Sequence, residues 1–223
     1  MTFTPLAASV FTLFTIVSLI LAFVMLGSRW LKNYMYAFTA QCWLIAILSA
    51  AVGYYGGFPE LYLVAVFTAL FRGMLLPYLV FRIIRRMDID RELHEVIRPS
   101  SALVLGAVLV ILALAVARRI GVSLGNPGNV VVLAVTVMLA IKLIGFLMLA
   151  VRHEAISQIL GLLVIENGIF LGSQILVPGM PLLLELVILF DLLIAVSCFS
   201  VLVNYLVAHV GSTSSMRLRR LRG

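Results

Sequence analysis

VVVLAVTVMLAIKLIGFLMLA, residues 130–150, carries one charged side chain, Lys142, in a run built almost wholly of Val, Leu, Ile, Ala, Met and Phe. At about 1.5 Å per residue, a helix of this length spans roughly 30 Å, the thickness of the hydrocarbon core of a bilayer. A soluble helix mixes a polar face into every two turns, and this segment has no such face. Val10 to Leu26 and Ala102 to Ala117 read the same way. Across the 223 residues, 64% are hydrophobic and 11% charged, and the charged ones gather between the apolar runs. The chain is therefore an all-α integral membrane protein. The first run lacks a basic n-region and a small-residue cleavage site, so it is expected to be retained as a helix.

Seven spans fit the pattern: 5–27, 34–56, 60–84, 99–118, 129–150, 155–176 and 181–208. Pro59, Pro99 and Pro181 fall near helix starts, where a missing N–H is harmless. Pro77 lies inside the third span, where it is expected to free a carbonyl and kink the helix. The breaks are turn-like: Gly56-Gly57-Phe58-Pro59, Gly125-Asn126-Pro127-Gly128 and Pro178-Gly179-Met180-Pro181. Alternate loops hold Arg29 and Lys32, then Arg82, Arg85, Arg86, Arg91 and Arg98, then Arg152, and finally the tail cluster Arg217, Arg219, Arg220 and Arg222. Arg118 and Arg119 are the cations of the opposite side. Because cytoplasmic loops retain positive charge, the expected topology is N-terminus outside and C-terminus cytoplasmic.

The net charge of +7 is thus mainly a topology signal with affinity for anionic membrane lipids, and nucleic-acid binding is not indicated. Cys42 and Cys198 sit in apolar spans without C-x-x-C spacing, which favours packing over a metal or disulfide role. His94, His153 and His209 are scattered at membrane edges or in a loop. There is no P-loop, no G-x-G-x-x-G and no Ser/His/Asp constellation, so the chain is expected to hold no catalytic site, metal or cofactor of its own.

What remains is a set of ionisable residues at depth: Arg72, Lys142, Glu166, Glu185 and Asp191. Four of them, Arg72, Lys142, Glu166 and Asp191, fall roughly 15–20 Å from the nearer helix end, while Glu185 is shallower. An ionised group at the bilayer centre costs at least a few kcal/mol, so these are paired, hydrated or used. As polar glue, Lys142 would pair with Glu166 and Arg72 with Asp191. Such pairs hold helices poorly once desolvation is counted, and a set of protonatable groups at the midplane favours a proton relay. In the sixth span Gly168 and Gly172 form a G-x-x-x-G beside Glu166 and Asn167. Close helix packing next to a buried acid is expected there.

The segment from Arg152 to Ser173, followed by an acid-bearing helix and a basic tail, resembles subunit K of respiratory complex I (chain 4L in mitochondria) and the related small three-helix subunit of multisubunit cation/proton antiporters. The whole chain, including Gly179-Met180-Pro181-Leu182-Leu183-Leu184-Glu185, resembles hydrogenase-4 component E, a membrane subunit of formate hydrogenlyase and group 4 hydrogenase complexes. On that resemblance residues 1–128 form a four-helix membrane region, 129–210 a three-helix subunit K-like region, and 211–223 a basic cytoplasmic tail. Gly161 and Asn167 match the family's second helix, but Leu163 stands where the family has Glu, and Glu166 offers a carboxylate one turn later. Asp191 matches the buried Glu of the next helix better than Glu185 does.

The resemblance implies a non-catalytic, multi-pass subunit of the prokaryotic inner membrane, seated among antiporter-like subunits. Nickel–iron and iron–sulfur centres would lie on partner subunits, and Glu166, Asp191, Lys142, Arg72 and Glu185 would form or tune an ion relay. The rival expectations are a non-conducting scaffold of the same complex and a stand-alone ion transporter, although the halves show no convincing internal repeat.

Overall fold

The computed structural model describes residues 5–87, 97–123, 128–152 and 155–177, together with positions 183, 186, 187 and 190. The seventh expected span, with Glu185, Asp191 and Cys198, and the basic tail lie outside these residues, apart from those four positions.

Among the described residues six helices follow in order: α1 (Pro5–Gly27), α2 (Leu31–Gly56), α3, α4 (Pro99–Ser123), α5 (Asn129–Val151) and α6 (Ala155–Leu176). α3 is composite, running Glu60–Phe67, then as π-helix over Thr68–Leu75, then as α-helix again over Leu76–Met87. Five of the six are long and apolar enough to cross a membrane. Helices suit that setting because they satisfy their own backbone groups where no water can.

The turns follow from their residues. Gly57 is left-handed, with φ of 72°, and ends α2 by donating its N–H to Gly53 O. Phe58 N–H reaches the same carbonyl at 3.1 Å, and Glu60 opens α3 directly after Pro59. Only a residue at ease in the left-handed region closes a helix this tightly. The expected disturbance at Pro77 takes the form of the π segment just before it. There Leu76 N–H bonds Phe71 O, five residues back, and Pro77 has no N–H to return to the next carbonyl. α4 runs further than expected, so Arg118 and Arg119 ride on its final turns instead of in a loop.

Antiparallel pairs build most of the bundle. Ser18 meets Gln41 between α1 and α2, and Tyr36 meets Phe81 between α2 and α3. Gly27 lies against Leu103 between α1 and α4, and Gly145 against Gly161 between α5 and α6. α1 contacts α2, α4 and α5, and α5 with α6 makes the most extensive helix pair. α2 and α6 instead run parallel, because Tyr34 meets Leu160, Gln41 meets Asn167, and Ser49 meets Gln174. Arg29, Lys32, Arg82, Arg98 and Arg152 consequently lie toward one end of the bundle, with Glu60, Arg118 and Arg119 toward the other.

Candidate functional site

α6 is a helix with two kinds of contact surface, and both follow from its sequence. Successive residues advance about 100° around a helix, so Gly161, Ile165, Gly168 and Gly172 fall on one stripe. That stripe faces α5 at a separation only glycine allows. A Cβ on Gly145 would stand 2.9 Å from Gly161 O, and one on Gly168 would stand 3.2 Å from Met138 O. A Cβ on Gly172 would run into the Met138 side chain. Small residues that let backbones approach are what membrane helices use where no hydrophobic effect drives them together.

Asn167 points away from that stripe, and Glu166 lies about 130° around the helix from its centre. Both meet Arg72, which the π segment of α3 carries and which is 1% exposed. One guanidinium nitrogen lies 3.1 Å from Glu166 Oε2, and the other donates to Asn167 Oδ1 at 3.1 Å. The guanidinium also stands 5.6 Å from the centre of the Phe170 ring, one turn further along α6. A single arginine thus grips α6 through a carboxylate, an amide and an aromatic face.

From Arg72 the polarity of every amide is dictated. Arginine has donors alone, so Asn167 must turn its oxygen toward it and its nitrogen away. Asn167 Nδ2 then donates to Gln41 Oε1 at 3.0 Å. Gln41 Nε2 in turn donates to Ser18 O at 3.0 Å and Ser18 Oγ at 3.2 Å. The line Glu166–Arg72–Asn167–Gln41–Ser18 crosses α6, α3, α2 and α1 in the buried centre of the bundle, with Cys42 Sγ 3.5 Å from Asn167 Nδ2. Glu166 is the member nearest the surface, its side chain 12% exposed.

This pairing differs from the one that polar glue alone would give. Glu166 bonds Arg72 and not Lys142, because the α5-facing stripe of α6 is taken by glycines and Glu166 lies round the helix from it. Lys142 is half-buried on α5 and makes no ion pair among the described residues. The expected Arg72–Asp191 contact and the position of Glu185 lie outside the described residues.

Arg152 lies between α5 and α6, as its place among the loop cations implies, but it is 2% exposed and seated among helices. It donates to Met25 O in the last turn of α1 at 2.9 Å, and its guanidinium lies 5.1 Å from the centre of the Tyr34 ring on α2. A cation suits that place, since the last carbonyls of a helix have no partners of their own and carry partial negative charge. Tyr34 OH donates to Leu160 O of α6 at 2.7 Å and completes this second cluster. The sequence held a signal for the α2–α6 seam that charge alone does not reveal. Gln41 and Ser49 are eight residues apart on α2, Asn167 and Gln174 seven apart on α6, and each pair marks one helix face.

The fold and this centre define a multi-helical integral membrane protein with a charged, hydrogen-bonded core. No family model matches the chain, and no solved structure does. The chain is 33% identical over 152 residues to uncharacterized protein Rv0085 of Mycobacterium tuberculosis (strain ATCC 25618 / H37Rv), covering 68% of each. It belongs to the family of that protein.

Proposed function

We propose that the chain is a non-catalytic membrane subunit of a complex I-related, hydrogenase-linked oxidoreductase complex of the prokaryotic inner membrane. In this reading it contributes Glu166, together with Asp191, to a proton or cation relay driven by redox chemistry on partner subunits. The observation that carries it is the Arg72–Glu166–Asn167 contact. A carboxylate roughly 15 Å from either end of its helix is bonded to a buried guanidinium, and its side chain is 12% exposed. A group that only glued helices would gain little there, because the desolvation of two ions offsets most of their attraction. Intramembrane ionisable groups that persist mark ion pathways. Lys142, half-buried on the neighbouring helix, would tune that path, and Arg29, Lys32, Arg82 and Arg98, exposed toward one end, favour a cytoplasmic setting for that end.

A scaffold reading draws on a different observation. The line from Arg72 through Asn167 and Gln41 to Ser18 ties four helices together with matched donors and acceptors. The two readings separate in the assembled complex reconstituted into vesicles. Glu166→Gln and Asp191→Asn, made singly, are expected to leave assembly intact and abolish redox-driven proton uptake. Undiminished uptake in both variants discards the relay and leaves the scaffold.

A further inference from the structure

Two turns beyond Asn167, α6 buries a second amide whose bonding is incomplete. Gln174 has 0% exposure, and its Nε2 donates to Ser49 Oγ of α2. Ser49 passes its own hydrogen to Ile45 O at 3.0 Å, so its oxygen keeps a lone pair to spare. Gln174 Oε1 has no hydrogen-bond partner among the described residues. A buried carbonyl oxygen left bare is costly, and most such groups in folded proteins are met by protein or by ordered water. Oε1 and Nε2 share one carbon, so a donor on Oε1 also lies within reach of Ser49 Oγ.

We propose that Gln174 and Ser49 bind an ordered water molecule between α2 and α6. One O–H of the water donates to Gln174 Oε1 and the other to Ser49 Oγ, which gives it two of the partners a buried water needs. Gln174 is two residues from the end of α6, which places the water near that end of the helix. Toward Asn167 the line is dry, because Ile45, Leu48, Phe170 and Leu171 fill the intervening turns and are all 0% exposed. The site is thus separate from the charged centre and stands whether or not Glu166 relays protons.

The test is infrared spectroscopy of the full chain in lipid nanodiscs equilibrated in ordinary and in oxygen-18 water. The wild-type chain is expected to show an isotope-sensitive O–H band of confined water. Gln174→Met, close in shape and lacking the acceptor, is expected to lose it, and Ser49→Ala to shift it. Absence of the band from the wild-type chain, or its persistence unshifted in both variants, overturns the proposal. Should Gln174→Met fail to fold, the wild-type spectrum and Ser49→Ala still decide.

Discussion

The two sides of α6 hold their neighbours by opposite means. Against α5 the contact is backbone on backbone, with Gly145, Gly161, Gly168 and Gly172 removing the side chains that would keep the helices apart. Against α2 and α3 it is polar, with Asn167, Glu166 and Gln174 each meeting a named partner. The first seam is sensitive to volume and indifferent to chemistry. The second tolerates little change in chemistry, because a broken bond leaves a buried donor or charge behind. Lipid sharpens both rules, since neither seam has a hydrophobic driving force to fall back on.

The largest effect is expected where the polar seam loses its charge balance. Arg72→Met breaks the ion pair with Glu166 and is expected to destabilise the bundle by about 3–5 kcal/mol. The double variant Arg72→Met with Glu166→Gln recovers much of that loss, as read by unfolding in nanodiscs. A double variant no better than the single one would break the claim that the pair acts as a unit. On the glycine seam even one methyl is expected to tell. Gly145→Ala places carbon 2.9 Å from Gly161 O and 3.0 Å from Ile165 N, for a loss of about 1–3 kcal/mol. Gly128→Ala meets nothing within 4 Å, so at this N-cap of α5 it is expected to cost only the capping preference, about 0.5 kcal/mol.

Asn167→Leu keeps the volume and removes the chemistry. It takes partners from Arg72 and Gln41 together, at a cost of about 1–3 kcal/mol in the same unfolding measurement. Equal tolerance of Leu at 167 and of Ala at 145 would erase the distinction between the seams. Among the contacts that bind helices together, the smallest effect is expected at the bundle end, where Arg152→Gln loses the ring contact with Tyr34 and weakens the bond to Met25 O. About 1–2 kcal/mol is at stake there, and Arg152→Lys is expected to recover only part of it, since lysine lacks the planar fork.

How much of this was legible depends on the range of the interaction. Helix positions followed from apolar runs and from Gly and Pro, all local signals, and α1, α5 and α6 begin and end within a residue of expectation. The cost of an ion in hydrocarbon singles out Arg72 and Glu166 from sequence alone. Their pairing was not legible, because it depends on which helix lies beside which, and charge alone made Lys142 an equal partner for Glu166. The burial of Arg152 was hidden for the same reason. A cation between two spans looks like a loop charge until the end of α1 is seen beneath it. The amides Gln41 and Gln174 carry no charge and so escape a search for ionisable groups, although their spacing along the helices held the pattern.

The parallel pairing of α2 with α6 also sets an order of events during synthesis. Gln41 and Asn167 are 126 residues apart. At a ribosome's pace of about 5–20 residues per second, α2 waits roughly 6–25 s for its partner. Ser18, only 23 residues from Gln41, is made before it, so the acceptor for the Gln41 amide N–H is in place long before α6 is. The α1–α2 hairpin therefore holds all it needs to turn that amide, its oxygen left for a helix not yet translated.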